Sequence, residues 1–282
     1  MEDYDRCLEI LAADYGTCYT IGNYQLCPEK KLIRVGRMFG TALIDAFGYF
    51  PEPSLKYDEA VIVIFAGNAF IPERNAKIDW RTVRLLSYDD GRGEFTDGRD
   101  LYVIKYGDVE KRGRFDENSY RPPECDDPAE RIFPEDWTLT DEGESTVDAN
   151  AYTGPKRTAL GRQRYVQFYV KDNVFCHDGL PIFEPFDVPN LRTIVSKDGF
   201  VTDYITDGNK VLYGGPRGGY SIIEKGGKEY VSAKELTVGG VDMSSLRVLG
   251  EDMLADKNAL YCRTNVIPFD KLDGFRFILR DM

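Results

Sequence analysis

A short pattern recurs along this chain: an apolar pair, a turn led by Asp, then an apolar residue beside an aromatic one. It is clearest in residues 253–262, M-L-A-D-K-N-A-L-Y-C, and stands again in residues 204–213, Y-I-T-D-G-N-K-V-L-Y, and 169–175, Y-V-K-D-N-V-F. A weaker copy, F-T-D-G-R-D-L-Y, occupies residues 95–102. Few folds accommodate such segments. An Asp at a turn start accepts backbone N–H bonds, and an Asn or Gly two places on tolerates the left-handed conformation that closes a tight turn. The flanking β-branched and aromatic residues suit strands. Each copy therefore predicts a hairpin, with Asp172, Asp207 and Asp256 at the turns, Asn209 and Asn258 closing two of them, and Tyr213 and Tyr261 packed inward. These roles are structural. A calcium loop would need oxygen ligands at alternating positions, and no D-x-D-x-D-G run is present.

A second element alternates with the first. It is seen in residues 241–249 (V-D-M-S-S-L-R-V-L) and 269–278 (F-D-K-L-D-G-F-R-F-I), with a looser version in 187–194. The alternation resembles the DKNYY family, named for an Asp-Lys-Asn-Tyr-Tyr hallmark. Here Asp256, Lys257, Asn258, Tyr261 and Cys262 carry it, with two residues inserted and Cys262 in place of the second Tyr. The resemblance covers about residues 164–282; residues 1–94 show no match. It implies a repeat fold without implying a reaction. The copies are unequally spaced, which argues against a solenoid of constant period.

Other segments add strands and turns. The runs 57–65 and 101–106 are rich in β-branched and aromatic residues, and residues 87–99 between them contain two Asp-Gly steps. The stretches 164–171, 211–213, 220–224 and 229–233 alternate with Gly-Gly pairs and predict an antiparallel meander. Tyr4, Cys7, Leu8, Leu11, Ala12 and Tyr15 fall on one helical face before Gly16, predicting a short N-terminal helix at about 3–15. A weaker helical pattern spans 37–47. The expected fold is mainly β, α+β overall, of antiparallel strands and hairpin repeats with that helix. The expected organisation is an N-terminal α+β domain over 1–115, an acidic Pro-containing connection over 116–160, and a β-repeat domain over 161–282.

Charge narrows the partners. Residues 1–150 hold 31 acids and 18 bases, and 12 of those acids, against two bases, fall in residues 116–148. Phosphate contacts require a basic face, so nucleic-acid binding is disfavoured. A basic protein partner fits this electrostatic pattern. Asp126, Asp127, Glu130, Glu135 and Asp136 are the candidate partner-binding residues. The longest apolar run, A-V-I-V-I-F-A at 60–66, is too short to span a bilayer and reads as a buried strand, so no membrane insertion is expected. The first residues, with Glu2, Asp3 and Asp5, lack the pattern of an export signal. Cytoplasmic location is expected.

No catalytic, metal or cofactor set is legible. Cys7, Cys18, Cys27, Cys125, Cys176 and Cys262 form no C-x-x-C pair and read as free, mostly buried thiols, with a faint metal signal in the first three. The single histidine, His177, follows Cys176 directly, so on a strand the two side chains point to opposite faces and cannot activate one another. Gly214–Gly219 lacks the Lys-Ser/Thr of a phosphate loop. The leading functional expectation is a non-catalytic protein-binding protein, an immunity protein neutralising a bacterial toxin. The alternative is a structural or scaffold module binding another protein or a glycan through exposed aromatics. An enzyme with a carboxylate pair hidden among the 48 acids ranks third.

Overall fold

In the computed structural model the described residues are 16–22, 24–37, 50–56, 60–75, 77–89, 92–105, 108–121, 137–139, 157–160, 168–177, 179–197, 199–214 and 220–282. The chain divides into two compact units. One comprises Met1–Tyr120 with Pro268–Arg280, the other Arg121–Ile267 with Asp281–Met282.

The first unit begins with four antiparallel strands in chain order, β1 (Tyr19–Ile21), β2 (Tyr24–Cys27), β3 (Leu32–Arg37) and β4 (Phe50–Lys56). β5 (Ala60–Phe65) and β6 (Asn68–Phe70) form a hairpin whose two-residue loop, Ala66 and Gly67, has positive φ at both positions. That left-handed loop matches the twist of the strands it joins. β7 (Arg84–Asp89), β8 (Arg92–Thr96), β9 (Asp100–Lys105) and β10 (Asp108–Arg114) make an antiparallel meander. Phe95 sits at the centre of the core, 5.3 Å from the Phe65 ring, 5.9 Å from Trp80 and 5.1 Å from Tyr102. All four side chains are buried, and their mixed edge and offset packing adds to the area they remove from water.

In the second unit β11 (Trp137–Leu139), β12 (Arg157–Leu160), β13 (Phe168–Lys171), β14 (Val174–His177) and β15 (Leu180–Pro181) form one sheet, with β11 and β12 parallel. The following strands are β16 (Arg192–Val195), β17 (Val201–Thr206), β18 (Val211–Tyr213), β19 (Ser221–Lys225), β20 (Lys228–Ser232) and β21 (Thr237–Val238). β16, β17, β18 and β21 share a sheet, while β19 and β20 stand as a separate hairpin. The continuous meander expected over 164–233 is thus corrected to three sheets. After β18 the chain leaves its sheet, and β21 takes the edge that β19 would have occupied. β22 (Arg247–Gly250), β23 (Met253–Ala255), β24 (Ala259–Cys262) and β25 (Asn265–Pro268) close the unit as a four-stranded sheet. Phe168, Phe175, Ile205, Leu212, Val231 and Leu236 form a buried apolar cluster.

The last strand, β26 (Phe275–Leu279), belongs to the first unit, where it pairs parallel with β5. β5 is therefore flanked on both edges, and Ile62, Val63 and Ile64 are each fully buried. An unbroken apolar run is the sequence a strand covered on both faces requires.

The architecture is β-rich and predominantly antiparallel. Helical structure among the described residues is limited to 3-10 segments of three or four residues. The helix expected at about 3–15 lies outside the described residues. Of the second helical pattern, over 37–47, Arg37 ends strand β3 and the rest lies outside them. No described helix is long and apolar enough to cross a membrane, which says nothing of strands.

The cysteine expectation is corrected. Cys18 and Cys27 form a disulfide, while Cys176 and Cys262 are free; Cys7 and Cys125 lie outside the described residues. The physical reason is register. Tyr19 faces Leu26 across the β1–β2 hairpin, so the next pair outward is Cys18 and Cys27, with Cα atoms 4.3 Å apart. Such bonds persist in oxidising surroundings, which weighs against the reducing location expected for free thiols. Proteolysis of the unreduced protein should yield peptides bearing Cys18 and Cys27 as one linked mass that separates on reduction. Separate masses before reduction would contradict the pairing.

Candidate functional site

Among the described residues, the Asp-led turns hold three of the four buried Asp side chains, Asp203 being the other. Asp97, Asp207 and Asp256 are all buried, and each carboxylate joins two stretches of chain. One oxygen closes its own turn. Asp207 Oδ1 accepts from the Asn209 and Lys210 N–H groups at 2.9 and 2.7 Å, Asp256 Oδ1 from Asn258 and Ala259 at 2.6 and 2.9 Å, and Asp97 Oδ1 from Arg99 and Asp100 at 3.0 Å each. The other oxygen reaches back to the preceding element, accepting the N–H of Asp187 at 3.1 Å, of Asp242 at 2.6 Å and of Asp79 at 3.5 Å respectively. Burial alone would raise these carboxyls, but the backbone donors hold all three below the ordinary aspartate value.

This linkage exposes an element that sequence reasoning missed. Asp79 and Arg84 stand in the same relation as Asp187 and Arg192, and as Asp242 and Arg247; in each case the Asp opens a turn and the Arg begins a strand. The turns close through Thr82 N–H to Asp79 O, Asn190 N–H to Asp187 O and Ser245 N–H to Asp242 O. The shared spacing D-x-x-x-(V/L)-R in the sequence was the available signal. The same Asp-to-Arg turn thus occurs in the first unit, at residues 79–84.

The expected turn residues divide. Asn209 and Asn258 occupy their turns, but in the Asp207 turn the left-handed residue is Gly208 at φ of +91°, as Gly98 is in the Asp97 turn at +87°, while Lys257 and Asn258 in the Asp256 turn are not left-handed. Neither Asn209 nor Asn258 has positive φ, a correction to the expected closure. Asp172 stands at its turn as expected, in a different kind of turn. It is exposed, and it and Asn173 form a left-handed two-residue loop at φ of 51° and 61°. With only two residues between β13 and β14, no space remains for a carboxylate to fold back over its own turn.

Tyr213 and Tyr261 are both buried. The Tyr261 hydroxyl donates to Asp256 Oδ2 at 2.8 Å, and burial together with that carboxylate pushes its phenol well up. Tyr102 in the corresponding position is pushed up to about 12, first by burial and then by Asp97. Tyr204 ties neighbouring repeat elements together, its hydroxyl donating to Asp252 O at 2.8 Å with Arg263 O at 3.1 Å. His177 is buried between the rings of Phe168 and Tyr220, at 4.2 and 4.3 Å.

An accessible site lies in the first unit. A groove of about 490 Å³ is lined by Thr82, Arg84, Thr96, Phe115, Asp116 and Glu117, among others. Phe115 forms its aromatic wall, with the Tyr120 ring 5.8 Å away and the Arg84 guanidinium 5.9 Å from its centroid. Glu117 pairs with Arg84 at 2.9 Å, both side chains being more than half exposed. Asp116 fixes the loop by accepting the Asn118 N–H at 3.0 Å. Arg84 thus already engages the Phe115 face and Glu117, and the exposed Asp116 carboxylate beside them suits an incoming cationic side chain. The groove stands at the start of the acid-rich segment. Asp126, Asp127, Glu130, Glu135 and Asp136 themselves lie outside the described residues.

No family model, curated protein or solved structure matches this chain.

Proposed function

We propose that this chain is a non-catalytic protein-binding protein that receives a basic partner, in the manner of an immunity protein that neutralises a bacterial toxin. The observation that carries this reading is the groove beside Phe115, with Asp116 and Glu117 exposed on its rim and acids concentrated in the residues that follow. The buried carboxylates support it indirectly. Asp97, Asp207 and Asp256 are saturated by backbone donors and serve the fold, which leaves the exposed acids for recognition. Surface charges of one sign accelerate encounter with an oppositely charged partner more than they tighten the final complex.

The test is co-purification with, and protection against, a basic toxin encoded beside this chain's gene. Absence of protection against any such neighbour would remove the immunity reading. For a partner so found, the association rate should fall steeply as salt shortens the Debye length from about 30 Å at 0.01 M to about 8 Å at 0.15 M. Neutralising Asp126, Asp127, Glu130, Glu135 and Asp136 together should slow association more than it speeds dissociation, and Glu117→Lys should act in the same direction. Stopped-flow or surface-based kinetics would measure this. An association rate indifferent to salt and to these substitutions would assign recognition elsewhere.

A further inference from the structure

The β19–β20 hairpin is poorly satisfied as an isolated element. Its register places Ile223 opposite Tyr230 and Lys225 opposite Lys228 on one face, and Ile222 opposite Val231 and Glu224 opposite Glu229 on the other. Each face therefore ends in a directly opposed pair of like charges, an arrangement that destabilises a ladder. The base of the hairpin is held firmly. Val231 is fully buried, Phe183 N–H donates to Val231 O at 2.9 Å, and Glu184 accepts from Ser232 Oγ and Ala233 N–H at 2.6 and 2.8 Å. The rest is open: Ile222 is 58% exposed and Phe183 47%.

The lysine face forms a small platform. Phe183 packs edge-on to Tyr230 at 5.7 Å, Lys225 Nζ lies 5.8 Å from the Phe183 centroid, and Ile223 lies beside Tyr230 across the ladder. Among the described residues β19 pairs with β20 alone. The strands are joined by Gly226 and Gly227, both at positive φ, a two-residue turn that makes Lys225 and Lys228 a hydrogen-bonded pair. By alternation, Ile222 and Glu224 turn their backbone N–H and C=O groups to the outer edge.

We propose that this edge and platform receive an extended acidic segment of a partner protein, which adds to β19 as a further strand. Backbone bonds to Ile222 and Glu224 would hold it. Side chains of period two would set an apolar residue against Ile223, and place a carboxylate two positions along at Lys225, with Lys228 next across the ladder. The carboxylate relieves the opposed lysine charges, which nothing within the hairpin ladder does. This surface takes a partner of the opposite charge from the one that suits the Phe115 groove, so the two sites can be tested independently.

The probe is a short capped peptide with Val and Asp two positions apart and Thr at the intervening and flanking positions, with Lys in place of Asp as control, each titrated against the full chain. Expected are binding of the acidic peptide alone, slowed hydrogen exchange at Ile222 and Glu224, and a weakening of about tenfold or more in Lys225→Glu/Lys228→Glu at unchanged melting temperature. Ile223→Ser gives an independent weakening without altering charge. Equal binding of both peptides, or protection outside β19, would overturn the proposal. So would protection of β19 that rises with protein concentration alone, since a second copy would then own the edge.

Discussion

Asp256→Ala is expected to lower stability by about 3 kcal/mol or more, several times the loss of an ordinary side-chain hydrogen bond. The carboxylate is buried and accepts from Asp242 N–H, Asn258 N–H, Ala259 N–H and the Tyr261 hydroxyl. Removing it strands three backbone donors at once, from two separate stretches of chain, and leaves the Tyr261 hydroxyl only the Gly240 carbonyl, at 3.2 Å. From the motif alone, a loss of about 1 kcal/mol would be expected, the scale of one side-chain to backbone bond. The internal control is Asp172→Ala. It alters the same motif at an exposed two-residue loop and should change stability by no more than about 0.5 kcal/mol. Urea denaturation of the two variants gives the comparison. Equal losses would mean that the carboxylate bridge is not what holds the repeat.

Acid should unfold this protein through the same groups. Asp97, Asp207 and Asp256 have folded-state values held below the ordinary aspartate value of 3.8. A depressed carboxylate contributes stability that is fully present above its unfolded-state value and is lost as pH falls through the folded-state value. The melting temperature should therefore be flat from neutrality to about pH 5 and drop steeply below about pH 4. Asp242 and Glu184 are shifted in the same direction, the first chiefly by its bond to Lys257 and the second, against burial, by Ser232 and Ala233. An Asp97→Asn/Asp207→Asn double variant should start less stable and show a shallower acid limb. A wild-type acid limb that stayed flat to pH 3 would show these carboxylates to be ordinary surface acids.

What could be read in the sequence was local. The run at 60–66 and the residues around 101–106 gave strands because β-branched and aromatic side chains suit a pleated surface whatever their partner. The buried aromatics Tyr213 and Tyr261 were legible because each follows an Asp-led turn. Pairings were less visible. Asp172 shares its letters with Asp207 but not its loop length, and loop length decides whether a carboxylate can fold back over the turn. The Cys18–Cys27 bond was accessible in principle, since Gly22 and Asn23 mark a hairpin centre about which the two cysteines are symmetric. The Phe115 groove was not, because Arg84 and Glu117 are far apart in the chain and each alone is an ordinary surface charge.

The parallel pairing of β26 with β5 also governs when the first unit can be completed during synthesis. β5 leaves the ribosome early, carrying Ile62, Val63 and Ile64 with one edge open, and the strand that covers that edge is translated after nearly all of the second unit. Until then an apolar edge is available to any extended chain nearby, the situation in which nascent proteins recruit chaperones or aggregate. A ribosome stalled just before Phe275 would hold the first unit incomplete, whatever the state of the repeats between.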